Sequence, residues 1–180
     1  MMDVEPPKLD RRILPSLSIE QLELLINEAS SVRDKAIISL FADSGLRLTE
    51  LAGIRTNDID WENRLIKVKC KGNKEGLAVF GARTEEFMRN YIEVTKPQSN
   101  LWDVNSWGIT TMLNRMRAKT GLPCNPHTFR RTFASILAKR GVDSLHIKRL
   151  GRWESVQMVE RYTRSVQFED SLKLYSAIMK

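Results

Sequence analysis

Two side chains three residues apart, His127 and Arg130 in His-Thr-Phe-Arg-Arg (127–131), could act together on a phosphate. At that spacing on a helix both point from one face. Asn125-Pro126 opens the helix with a capping residue and a first-turn proline, so the pair sits at its start. Free backbone N–H groups and the helix dipole favour an anion there. A histidine can move a proton, and an arginine can hold two phosphate oxygens. Taken alone the pattern is weak, and a surface histidine beside a solvated arginine explains it better.

Three further positions join it. Arg47 follows a helix-ending glycine in Ser-Gly-Leu-Arg-Leu-Thr-Glu-Leu (44–51). Lying between two leucines, it is expected to be half buried and so to need an anionic partner. Glu50 could hold it in place for an incoming phosphate, or the two could form an ion pair that merely ties two helices. Lys71 stands on a glycine-containing turn, Lys-Cys-Lys-Gly-Asn-Lys (69–74), from which an ammonium could reach a leaving oxygen. Most lysines at such turns are only solvated. Tyr162 lies in Val-Glu-Arg-Tyr-Thr (159–163), after Gly-Arg-Trp (151–153). A phenol ordinarily ionises near pH 10, so it attacks phosphorus only when cations neutralise the phosphate and a base takes its proton. The alternative is a helix tyrosine that packs its ring and hydrogen-bonds its hydroxyl.

The elements that must carry these residues are mostly helical. Ser-Ile-Glu-Gln (18–21) is a capping box that opens a first helix, with Leu22, Leu25 and Ile26 on one face. Periodicity predicts a second helix over 32–43, ended by Gly45, and a short one over about 49–54. Three short β-like runs follow: Ile59 and Trp61, then 65–69, then 77–80. Turn-forming stretches separate them and predict a small three-stranded antiparallel sheet. Helices are expected again over 83–94, 106–120, 125–140, 144–150 and 156–162. A last amphipathic helix carries Phe168, Leu172, Tyr175 and Met179. The fold class is therefore mainly α with a small three-stranded antiparallel β-sheet (α+β).

The chain of 180 residues is long enough for one well-packed domain. Residues 1–16, with three prolines, are expected to be a linker or tail ahead of a domain over 17–180. No apolar run is long enough to span a membrane, and the N-terminus lacks a signal-peptide core, so the chain reads as soluble and cytoplasmic. Cys70 and Cys124 have no ligand-like spacing and read as reduced thiols. The formal net charge of +7 is unevenly spread. Residues 1–46 hold five basic and eight acidic side chains, whereas 125–165 hold nine basic and three acidic. Such a block attracts polyanions by counterion release, or solubilises a face. A metal-dependent nuclease finds little support, because Asp58 and Asp60 have no matching cluster of histidines or carboxylates.

From about Leu17 to Thr163 the chain resembles the tyrosine recombinase (phage integrase) family. Residues 44–51 resemble its first arginine box, 70–75 its β-hairpin lysine segment with Lys71 placed 24 residues after Arg47, 127–131 its second box, and 150–163 the end of the domain with its nucleophile. The resemblance implies the family's catalytic-domain fold and cleavage and rejoining of DNA through a 3′-phosphotyrosyl bond, with neither ATP nor metal. Arg47 and Arg130 would clamp the nonbridging oxygens, with Glu50 in support. Lys71 would protonate the 5′-oxygen, His127 would assist proton transfer, and Tyr162 would attack. The family's usual histidine nine residues before the tyrosine is Trp153 here, a donor that can position phosphate but cannot be a base. Arg152 is the rival for that place, but it breaks the spacing to Tyr162. Gly76 stands where the family commonly has an arginine, which implies loss of a phosphate contact.

Arg131, Arg152, Arg161 and Lys74 are expected to bind DNA. The implied partners are double-stranded DNA and further copies of the chain in a tetramer on paired sites. The C-terminal helix (167–179) would dock on a neighbouring protomer or fold back on its own domain. Location would be cytoplasmic, with the nucleoid when DNA is bound. The family normally carries a separate helical DNA-binding domain ahead of this one. Residues 1–16 leave no room for it, which implies a truncated or half-length enzyme. The competing readings are a type IB topoisomerase-like or telomere-resolving enzyme, and a DNA-binding relative with lost catalysis.

Overall fold

A computed structural model describes residues 15–70, 72 and 74–179. Lys71 and most of the expected tail lie outside the described residues. The chain enters helix α1 (Ile19–Glu28) through the expected capping box, in which Ser18 Oγ accepts the Gln21 N–H and the Gln21 side chain accepts the Ser18 N–H. Helix α2 (Val32–Ser44) is buried along most of its length and ends at Gly45, whose φ of 56° is left-handed. The short α3 (Leu48–Ala52) follows, then a 3-10 turn over Thr56–Asp58.

Strands β1 (Ile59–Asp60), β2 (Leu65–Lys69) and β3 (Glu75–Val79) form an antiparallel sheet in the order β1-β2-β3. Ile66 and Val68 are buried while Lys67 and Lys69 point to solvent, the alternation of a sheet covered on one face. The ladder runs further toward the turn than the apolar run 77–80 suggests, because Lys69 pairs with Glu75 and the Cys70 N–H donates to Lys74 O at 2.7 Å. Backbone pairing there needs no apolar side chain. Strand β1 is only two residues long. Trp61 falls in the turn after it, edge-on to Phe80 and under the Arg89 guanidinium.

Six helices complete the chain: α4 (Ala82–Thr95), α5 (Ser106–Thr120), α6 (Pro126–Lys139), α7 (Ser144–Gly151), α8 (Val156–Thr163) and α9 (Phe168–Ile178). The larger apolar cluster joins α1 to α5 and the sheet, with Phe41 stacked on Phe129 of α6. A smaller cluster joins Phe133 and Ala134 of α6 to Ile147, Trp153 and Val159. Helix α6 thus has its first half in one cluster and its second half in the other, and Arg130 lies where it passes between them. Among the described residues no helix is long and apolar enough to cross a membrane.

Candidate active site

Arg130 is the centre of the site. It is 6% exposed, yet among the described residues it has no acidic partner. Its Nη1 donates to Gly45 O and its Nη2 to Gly151 O at 2.6 Å. The guanidinium carbon sits 4.2 Å from the centre of the Trp153 ring. Burial, then repulsion from Arg47 and Arg152, pull its pKa down to about 10, which leaves it charged at neutral pH. A buried cation held by neutral carbonyls and an aromatic face is short of one anion.

Two glycines make this seat. At Gly45 a Cβ would fall 2.8 Å from Phe133 Cδ1, so only a bare backbone lets α6 come close to the end of α2. At Gly151 a Cβ would fall 1.8 Å from the Trp153 ring, whose indole lies over that backbone. Both glycines present carbonyls to Arg130. Reading Gly45 as a helix-ending residue missed this second role, and Gly151 was read only within the Gly-Arg-Trp motif.

Arg47 pairs with Glu50, a contact that both readings of its sequence context allow. The Arg47 N–H donates to Glu50 Oε2 at 2.9 Å and Arg47 Nη1 to Oε1 at 2.7 Å. The arginine stays about one-third exposed (34%), whereas the carboxylate side chain is 1% exposed. Burial opposes the Glu50 charge, but the Arg47 backbone N–H, the Arg152 charge and the Arg47 guanidinium outweigh it and hold the carboxyl below its usual range. Two arginines, Arg47 and Arg152, thus share one carboxylate.

An open cleft of about 510 Å³ is lined by Arg47, His127, Arg130, Trp153 and Tyr162, together with Leu46, Thr49, Thr110 and Met158. His127 is exposed, one residue after the Pro126 that begins α6. Tyr162 comes from α8, half buried, with its ring centre 5.8 Å from that of Trp153. Of the two residues competing for the place nine before Tyr162, Trp153 lines the cleft and Arg152 turns away from it. Thr110, Thr49 and Met158 carry no motif and were not expected there; only the packing of α3, α5 and α8 brings them in. The fold gathers five of the six expected catalytic residues, and the sixth, Lys71, lies outside the described residues.

The expected DNA-binding residues scatter. Arg161 is exposed on α8 and Lys74 is exposed at the start of the return arm of the hairpin. Arg131 is half buried, with Nε donating to Pro15 O at 2.9 Å and Nη2 to Thr128 Oγ1 at 3.1 Å. Arg152 corrects the expectation. Its side chain is 8% exposed and its guanidinium is spent on Leu77 O, Leu150 O, Ser44 O and Glu50, so it faces protein and not solvent.

Residues 15–168 match the Phage integrase family. The chain is 32% identical over 161 residues to the tyrosine recombinase XerA of Saccharolobus solfataricus, covering 89% of this chain and 55% of that protein. It is 28% identical to the tyrosine recombinase XerC of Syntrophus aciditrophicus, over 89% of this chain and 59% of that one. The chain therefore spans somewhat more than half the length of these relatives. In fold it is similar to a XerA recombinase crystal structure, with a TM-score of 0.81, 22% identity and coverage of 97% of this chain and 67% of that one. It is also similar to the XerH site-specific recombinase bound to its difH substrate in a pre-cleavage complex, with a TM-score of 0.72, 19% identity and coverage of 90% and 53%.

Proposed function

The chain belongs to the phage integrase family, and on that premise we propose that residues 17–180 are a catalytic domain that cuts and rejoins duplex DNA through Tyr162. One observation carries the reading: Arg130, a buried cation with no acidic partner among the described residues, faces a cleft that also holds Arg47, His127, Trp153 and Tyr162. A phosphodiester in that cleft supplies the missing anion. Arg47 and Arg130 hold its nonbridging oxygens and stabilise the extra charge of the pentacoordinate transition state. The Trp153 ring backs the Arg130 guanidinium and offers its own N–H.

The Tyr162 oxygen attacks phosphorus while the bond from phosphorus to the 5′-oxygen breaks. The phenol proton leaves by way of His127, and Lys71 protonates the departing 5′-oxygen. The product is a 3′-phosphotyrosyl bond and a free 5′-hydroxyl. Because one phosphoester replaces another, the reverse attack reseals the strand with no energy source. Lys74, Arg131 and Arg161 contact the DNA backbone. Paired sites bring copies of the chain into a tetramer in the cytoplasm, at the nucleoid when bound. The apolar stripe of α9 docks on a neighbouring copy; Phe168 and Ile178 are 75% and 81% exposed.

The test is covalent capture. The chain is incubated in EDTA with a pool of nicked suicide duplexes randomised around the nick, and adducts are isolated under denaturing conditions and sequenced. An adduct is expected on Tyr162. It is lost in Tyr162→Phe and falls by about 100-fold or more in Arg130→Ala, the scale of losing a transition-state donor. An adduct that survives Tyr162→Phe, or one that requires a divalent metal, overturns the reading.

A further inference from the structure

Arg152 remains to be explained. It is an arginine in the left-handed region, φ 57°, one residue before Trp153. That backbone shape is unfavourable for any residue that carries a Cβ. Burial also opposes its charge, with Glu50 the main compensation. Its Nε is buried and has no partner among the described residues. A surface contact would justify none of this.

Its guanidinium reaches four elements. Nη1 donates to Leu77 O on β3 at 3.0 Å and to Leu150 O at the end of α7 at 2.9 Å. Nη2 donates to Ser44 O at the end of α2 at 3.2 Å and lies 3.4 Å from Glu50 Oε2. The aliphatic stem lies against Gly76, where a Cβ would meet Arg152 Cδ at 3.0 Å and Cys70 Sγ at 2.8 Å. A longer residue at 76 would thus displace the arginine, so the bare position belongs with it. We propose that Arg152 is a positioning residue that fastens the β2–β3 hairpin to Glu50 and the first arginine box. Lys71 follows Cys70 directly in the chain, so the fastening sets how the leaving oxygen is protonated; that last step rests on the proposed function.

Two cysteines test the fastening without any DNA. Cys70 ends the hairpin's outgoing arm, half buried, and its nearest charges include Glu50 and Arg152. Cys124 is buried, its thiol pushed up to about 12 by burial alone, so it reports global opening. Arg152→Met keeps the stem that covers Gly76 and removes the fork, and Arg152→Gly removes both the fork and the backbone strain. Maleimide labelling of Cys70 should rise by about 10-fold in both variants with Cys124 unchanged, the mark of a local opening. The electrostatic change works the other way, because Arg152 favours the Cys70 thiolate. Unchanged Cys70, or both cysteines speeding up together, overturns the proposal.

The catalytic consequence is read on the captured DNA sequence with sulfur in place of the bridging 5′-oxygen. Sulfur leaves as a thiolate and needs no proton. General-acid help is worth about 100- to 10,000-fold. Lys71→Ala and Arg152→Met should both slow cleavage of the oxygen substrate and both recover on sulfur. If Lys71→Ala does not recover, the reading of Lys71 as the acid fails while the labelling result stands. If Lys71→Ala recovers and Arg152→Met does not, the role given to Arg152 fails.

Discussion

Arg130 owes its position to its neighbours' backbone, and that makes small substitutions around it informative. Gly151→Ala would put a methyl 1.8 Å from the Trp153 ring, which must then leave its place beside Arg130. Overpacking of this kind costs about 1–3 kcal/mol. A denaturant melt should show that loss, and adduct formation should fall by more than the folded fraction does. Glu50→Gln removes the carboxylate that pairs with Arg47 and Arg152, and breaking such a buried pair costs roughly 3 kcal/mol. Its pH dependence has a definite sign. The folded Glu50 carboxyl titrates below its usual range, so its contribution is full above the unfolded pKa of about 4.3 and is lost as pH falls through the folded value. Acid melts of the two proteins should converge below that window; parallel curves would contradict the assignment.

At the scale of elements, helix ends were the most readable feature. Ser18, Asn125 and Gly45 act through the chain's own nearest atoms, so local sequence suffices to place α1, α6 and the end of α2. Helix α9 is different. Its periodic residues Phe168, Leu172 and Tyr175 are exposed, and none of its residues is fully buried. Leu174, on another face, lies against Gly141 instead. Periodicity announced an apolar stripe without saying what covers it. A double variant Phe168→Ser and Tyr175→Ser should leave the melting temperature within about 2 degrees, since little buried area is lost. Sedimentation with captured DNA should show fewer copies per complex, and an unchanged assembly would remove α9 from the interface.

At the scale of the molecule, the site lies at the seam of the two apolar clusters. Arg47 comes from the larger, Trp153 and Tyr162 from the smaller, and Arg130 from the helix that crosses between them. The basic block of 125–165 includes Tyr162, the proposed nucleophile, and binding to duplex DNA should weaken steeply with salt. Each phosphate contact contributes about 0.9 to the logarithmic salt slope, so a Lys74→Ala and Arg161→Ala double variant should flatten it by about 2, read by anisotropy titration. A slope that does not change removes both residues from the backbone contacts. Capping and periodicity, which are local properties of the chain, were enough to lay out the helices and the small sheet, whereas Arg47, His127, Arg130 and Tyr162 were nominated by the family resemblance that their motifs carry together and none of them by its own motif alone. The sequence set Trp153 ahead of Arg152 by one residue of spacing alone, since either of these adjacent side chains can bind phosphate. Tertiary packing decided between them: the left-handed turn at Arg152 sends its guanidinium to the carbonyls of Ser44 and Leu77, 108 and 75 residues away in sequence, and lays the neighbouring indole beside Arg130.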